Sequence, residues 1–487
     1  MKKRHKHNLS HYKLLTGDGG LLLPVTHYEA LPGDTMQVQS SVLLRASPLL
    51  APVMHRFHVR LHTFFVPYRL LWSDWEKFIT GDNSVGTIPT IDPGTVAAGD
   101  LLDHLGVPPN TYSTTADNEI NAFPIQAYNL IFNDFYRDQD LVTERSLTDT
   151  SIANVAWGKD YFTAARPFAQ KGGEITLPMA GEAPVTGIGL NSSQSFQSGP
   201  VNANETDGTS SASYANYKPA SSTNSIYMEE DPSNSGYPNI RADLSGATAA
   251  SVRDVRLAFA LQRYNEARAQ YGSRYTEYLR YLGIRPSDAR LQRPEYLGGG
   301  KRDISFSEVL QTAEGTDPVG TMRGHGISGM STRPFRKFFE EHGIVMSLVS
   351  VRPQSIYMDG INRSYLRRTK EDYFQEELQF IGQQAINNGE LYFANDGANG
   401  DVFGYNDRYA EYRSHWSGVS GEFRTSLNYW HDARTFGARP ALNSTFTDCN
   451  PANRIFASPG TDTFWLATQH KIGARRLVTN STAARII

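Results

Sequence analysis

Arg56-Phe57-His58-Val59-Arg60-Leu61-His62-Thr63-Phe64-Phe65-Val66-Pro67 is the stretch that decides the fold. Phe57, Val59 and Leu61 alternate with Arg56, His58, Arg60 and His62. A period of two gives an extended chain one apolar and one polar face, which is the pattern of a β-strand. Pro67 has no backbone donor to give a ladder and ends the run. Upstream, Met36, Val38, Val42 and Leu44 fall on one parity of a second alternating stretch. Downstream, Ile344–Val351 is a run of β-prone apolar residues and Phe464–Lys471 reads as a last strand. Phe423, Thr425, Leu427 and Tyr429 alternate with polar neighbours and predict another.

Between these strands lie long excursions. A Trp-rich link spans 71–75, and residues 81–120, rich in Gly, Pro, Asp and Thr, read as a long loop. Residues 126–136 are apolar and aromatic and predict a short buried helix. The strongest composition shift lies between about 187 and 245: from Gly189 to Ser225 Ser, Thr, Asn and Gly dominate and charges are few, and such a segment buries too little apolar surface to fold alone and is expected as a surface insertion. Ser251 and Asp254 form a capping-box pattern that opens a helical excursion over 251–283. Leu257, Leu261, Tyr264, Tyr271, Tyr275 and Leu282 recur at helical spacing and predict a core-packing face; Gly283 and Pro286 end it. Strands at both ends with long connections and few helices predict an all-β sandwich.

The composition is that of a globular chain: 39% hydrophobic and 11% aromatic over 487 residues, enough for a sizeable core. A net charge of -3 argues against a protein that coats nucleic acid unaided. The single cysteine, Cys449, excludes an intrachain disulfide and a Cys-rich zinc site. No apolar run is long enough for a membrane span, and the basic N-terminus is not followed by the apolar stretch of a secretory signal. Residues 1–20 are expected to form a basic, flexible N-terminal arm, with Lys2, Lys3, Arg4 and Lys6 as candidates for phosphate contact.

Catalytic motifs are not found. Gly324-His325-Gly326-Ile327-Ser328-Gly329 fits G-x-G-x-x-G, but no helical pattern starts at these glycines, and a tight Gly-rich bend is expected instead. His58 and His62 share a strand face about 13 Å apart, too far for one metal. His5, His7 and His11 come without carboxylates, and no metal or cofactor is assigned. Glu229-Glu230-Asp231 reads as a solvated acidic loop. Nothing near Cys449 marks it as a nucleophile. What remains is an interface composition, with Arg beside Tyr in Arg263-Tyr264, Arg274-Tyr275 and Tyr412-Arg413.

An ordered series of short motifs goes further. Leu31-Pro32-Gly33-Asp34-Thr35 is followed by Thr63-Phe64-Phe65-Val66-Pro67, Trp75-Glu76-Lys77-Phe78 and Tyr128-Asn129-Leu130-Ile131-Phe132. Ser287-Asp288-Ala289-Arg290-Leu291-Gln292-Arg293-Pro294-Glu295-Tyr296-Leu297-Gly298-Gly299 is the longest. Glu341-His342-Gly343, Ser350-Val351-Arg352-Pro353, Ala410-Glu411-Tyr412-Arg413 and Tyr429-Trp430-His431 complete it. In this order they resemble the major capsid proteins of microviruses, in particular the gokushovirus branch.

The resemblance implies a mainly β fold, an eight-stranded antiparallel viral jelly roll with long loop insertions and a few helices, spanning 1–487 as one subunit. It implies no catalytic role. Copies would form a T=1 icosahedral shell in the bacterial host cytoplasm around a circular single-stranded DNA genome. Partners would be further copies of the chain, a small basic DNA-binding virion protein, an internal scaffolding protein, a pilot protein and a host surface receptor, with no membrane. The 187–245 insertion would stand as a threefold protrusion facing the host, with Asn204, Tyr214, Tyr217 and Tyr227 as candidate contacts. The readings weighed against it are a β-sandwich carbohydrate-binding or adhesion module and an enzyme on a β scaffold.

Overall fold

The computed structural model describes residues 3–82, 84–173, 175, 252–312 and 319–479, and the backbone of four short strands between them. The chain divides into two compact units, Met1–Lys171 with Glu266–Ile487, and Gly172–Asn265.

The larger unit is built on β-strands. In chain order the strands used below are β1 (His5–Asn8), β2 (His11–Gly17), β3 (Leu22–Ala30), β4 (Thr35–Ala46), β5 (Phe57–Pro67), β6 (Glu295–Asp303), β7 (Ser305–Leu310), β8 (Met322–Ser331), β9 (Phe335–Phe338), β10 (Gly343–Pro353) and β11 (Phe464–Arg476). A seven-stranded antiparallel sheet runs β1-β11-β4-β8-β7, with β2 also on β11 and β9 on β4. A four-stranded antiparallel sheet runs β6-β5-β10-β3. Taking the eight principal strands, the orders β2-β11-β4-β8 and β3-β10-β5-β6 are compatible with the expected jelly roll.

The two sheets share a core. Leu15, Val42, Leu44, Phe464 and Leu466 from one meet Leu23, Val25, Val59, Leu61, Val349 and Val351 from the other. Every one is buried, because alternation puts each strand's apolar parity inward. The strands predicted around 36–44, 56–66, 344–351 and 464–471 are all present.

A second core lies on the opposite face of the four-stranded sheet. Phe64 and Val66 of β5 and Ile344, Met346 and Leu348 of β10 carry it. The helix α1 (Phe123–Ile131) packs there, continued by a π-turn over Phe132–Tyr136; this is the predicted short buried helix. Leu101, Leu102 and Leu105, in a helical turn within the expected 81–120 loop, join it. The outer face of β5 is therefore not uniformly polar. Its first half, His58-Arg60-His62, stays open, and its second half is roofed by the excursion.

Four expectations are corrected. The basic N-terminal stretch is not a free arm: β1 and β2 pair with β11 in register, His5 opposite Arg476 and Tyr12 opposite Gln469. Gly324–Gly329 is not a bend but lies in the middle of β8. Glycine is needed at 324 for close approach, since a Cβ there would stand 2.6 Å from the Ala51 carbonyl oxygen. Residues 423–429 are not a strand; helical turns at Gly421–Arg424 and Asn428–Trp430 are closed locally by Thr425 and Leu427 N–H groups donating to the Glu422 carbonyl. The 251–283 excursion is two helices, α2 (Val252–Tyr271) and α3 (Tyr275–Tyr281), broken at Gly272, whose φ is positive. Its apolar residues do not enter a core: Leu257, Leu261, Tyr264, Tyr271, Tyr275 and Leu282 are all exposed.

In the smaller unit Val201–Asn204 pairs antiparallel with Ser211–Tyr214, and Val185–Thr186 with Arg241–Ala242. No helix among the described residues is long and apolar enough to cross a membrane.

Candidate nucleic-acid cleft

The open half of the β5 outer face forms the floor of a cleft of about 800 Å³. Antiparallel register sets its charges. Arg60 stands opposite Lys301 of β6 on one side and Ser350 of β10 on the other. One step along, His58 stands between Asp303 and Arg352. Cross-strand partners project to the same face, so three cations from three strands converge.

The walls are aromatic. Phe135 and Tyr136 come from the π-turn after α1, Tyr296 from β6, and Trp157 and Trp416 from the long connections. The Tyr136 hydroxyl and His62 Nδ1 are hydrogen-bonded at 2.8 Å. The His62 ring lies 5.6 Å from Tyr296 and 6.1 Å from Phe64, both edge-on or nearly so.

The electrostatics favour anions. Arg60, Lys159, Arg280, Lys301 and Arg352 line the cleft with two carboxylates, Asp160 and Asp288, while Asp303 stands on the same face beside His58, near enough to Lys301 to feel its charge. The two lining acids are occupied: Asp160 accepts from the Tyr357 hydroxyl at 2.8 Å, and Asp288 pairs with Arg293 at 3.4 Å. Lys159 is paired with Asp138 at 2.6 Å. Arg60 and Lys301 make no ion pair among the described residues. Arg352 donates to the Ala156 carbonyl at 2.6 Å, and burial, then the Arg60 charge, lowers its pKa. Burial, reinforced by Arg60 and Arg352, pulls His62 down to about 4, so it is neutral near pH 7. His58 Nδ1 meets the Asp303 carboxylate at 2.7 Å, and that bond lowers the Asp303 pKa. Unpaired guanidinium and ammonium groups suit phosphates, and flanking aromatic faces suit unstacked bases.

The residues predicted from sequence for phosphate contact are elsewhere. Lys2 lies outside the described residues, and Lys3 and Lys6 are exposed on or beside β1. Arg4 donates to the Gly33 carbonyl at 2.9 Å and the Thr35 hydroxyl at 3.0 Å, with its guanidinium 5.7 Å from the Phe338 ring centre. None of them lines the cleft. Of the candidate host contacts, Asn204 and Tyr214 sit at the ends of the paired strands 201–204 and 211–214; Tyr217 and Tyr227 lie outside the described residues. Sequence reading missed Arg60, Lys301 and Arg352. The usable signal was a basic residue at the centre of the polar parity of β5.

Cys449 is fully buried and its thiol is pushed up to about 12, chiefly by desolvation. Among the described residues no cluster of three metal-ligating side chains occurs.

A family model described as Capsid protein (F protein) matches residues 1–484. The chain is 34% identical over 462 residues to capsid protein VP1 of Bdellovibrio phage phiMH2K, covering 88% of this chain and 85% of that protein. It is 30% identical over 547 aligned positions to capsid protein VP1 of Chlamydia phage 1, covering 94% and 91%. It is 29% identical over 515 positions to capsid protein VP1 of Spiroplasma virus 4, covering 94% and 90%.

Proposed function

Because the chain belongs to the phage capsid protein (F protein) family, we propose that its copies close into a T=1 icosahedral shell around a circular single-stranded DNA genome, with no catalytic step. The observation that carries the DNA part of this reading is the cleft on the outer face of the four-stranded sheet. Among the described residues Arg60, Lys301 and Arg352 have no carboxylate ion-pair partner, and the half-exposed Tyr296 stands beside them, with Tyr136 and Trp416 on the wall. Such a site takes a phosphate and an adjoining base of an unpaired strand, with little regard to sequence.

The near-neutral net charge of -3 fits a division of labour. The cleft holds a few nucleotides per subunit, while a small basic virion protein neutralises the bulk of the phosphate charge. The internal scaffolding and pilot proteins and the host receptor remain partners expected from the resemblance. The 187–245 segment is assigned to host attachment as the threefold protrusion.

The test is assembly in the bacterial host cytoplasm with the scaffolding partner, followed by sedimentation and electron microscopy. Closed shells that retain single-stranded DNA are expected. A subunit that stays monomeric with its partner present, or shells indifferent to single-stranded DNA, would overturn the reading. Deleting residues 190–240 should leave shells intact and abolish attachment to cells.

A further inference from the structure

Two aromatic patches of opposite charge stand exposed on the larger unit. The first runs from Tyr271 through α3 to Arg290. It exposes Tyr271, Tyr275, Tyr281, Leu282 and Ile284, and α3 buries none of its residues. The rings form a ladder, with Tyr271 and Tyr281 4.8 Å apart. This ladder is held rigid from behind. Arg274 reaches into the body of the unit and donates to the Arg137 carbonyl at 2.6 Å, while Glu277 accepts from the Arg274 backbone N–H at 2.9 Å. Arg285 and Arg290 at its end are exposed and have no ion-pair partner among the described residues.

The second patch is the loop 371–381. It carries four carboxylates and no cation. It exposes Tyr373, Phe374, Phe380 and Ile381, and Phe380 is 84% exposed, a state in which an unpartnered phenyl ring contributes nothing to the fold. This loop is anchored too. The Tyr409 hydroxyl donates to the Tyr373 carbonyl at 3.1 Å and accepts from the Gln375 N–H at 3.1 Å. Glu376 and Glu377 are exposed and, among the described residues, unpaired.

We propose that these two patches are the two halves of one contact between copies of this chain: the Tyr271–Arg290 ladder of one copy docks on the 371–381 loop of the next. The proposal rests on the capsid reading and deepens it. Rigid exposed aromatics supply buried area at small entropic cost, and the facing charges supply register and partner choice. Pairing two different patches makes the contact heterologous, and a closing rotation turns such contacts into rings. The same pattern also prevents wrong pairing, since loop against loop or ladder against ladder brings like charges together.

The test is charge reversal in the full chain, expressed with its scaffolding partner. Glu376→Arg with Glu377→Arg should cut shell yield at least about tenfold, as should Arg285→Glu with Arg290→Glu, while the subunit still melts cooperatively. The fourfold variant should regain most of the parental yield. Parental yield from both double variants would overturn the proposal, as would a fourfold variant no better than the worse double; either result would hand the patches to another virion protein. If the reversed chains fail to fold, Ile284→Cys and Phe380→Cys placed in separate copies should join by a disulfide when the purified mixed shells are treated with a mild thiol oxidant such as oxidised glutathione. No cross-link there overturns the contact. If the parent chain itself forms no shells, the capsid reading fails instead.

Discussion

Arg60 and Lys301 are direct register partners on adjacent antiparallel strands, two like charges side by side with no carboxylate between them. Such a pair opposes pairing of the strands by up to about 1 kcal/mol. A sheet retains it when something else uses the charge. Arg60→Gln should therefore leave the melting temperature unchanged or slightly raised, yet weaken binding of an oligothymidylate. The slope of log affinity against log salt should fall by about 0.7 for the lost phosphate contact. Fluorescence anisotropy across a salt series, beside a thermal melt, checks both.

The subunit should lose stability as pH falls below neutrality. His55, His62 and His470 are held near about 4 by burial, whereas in an unfolded chain they titrate near 6.5. The unfolded state then takes up protons that the native state refuses, so stability is complete above about pH 6.5 and drains as pH drops towards 4. Each imidazole contributes roughly 1 kcal/mol of loss by pH 5.5. His470, fully buried and bonded through Nδ1 to the Ser40 hydroxyl at 2.9 Å, is the cleanest probe. His470→Gln should flatten the dependence of melting temperature on pH between 7.5 and 5; an unchanged slope would refute the assignment.

Two glycines of one strand should behave oppositely. At Gly324 a methyl would stand 2.6 Å from the Ala51 carbonyl oxygen, while at Gly329 it meets nothing within 4 Å. Gly324→Ala should cost about 1–3 kcal/mol and Gly329→Ala close to nothing. Chemical denaturation of the two variants in parallel measures the difference.

Cys449 should be inert in the native subunit. Its backbone N–H donates to the Val155 carbonyl at 2.8 Å, and its side chain is fully buried, with the thiol held protonated by desolvation. Maleimide labelling should be absent in buffer and complete in denaturant. Fast labelling of the folded protein would place the thiol in a different environment.

The strands were readable because alternation is local: each residue of Phe57–His62 declares its face by its own polarity. Where a short alternating run was tied instead by turns closed within a few residues, as at 423–429, the same pattern misled. The glycines of β8 look like a bend in the sequence because their close neighbours, Ala46, Ala51 and Phe306, are distant along the chain. The apolar face of α2 and α3 was correctly found and wrongly buried, since periodicity reports that a face is apolar, not what covers it.

Sequence alone determined that this is a mainly β chain of the capsid family, because backbone alternation and an ordered series of motifs are written residue by residue. Only tertiary structure decided where its cations converge. Arg60, Lys301 and Arg352 lie far apart along the chain and meet because antiparallel register, set by the turns and the sandwich core, brings three strands side by side. Charge convergence is a property of that register, and register is fixed by contacts between residues that no local pattern connects.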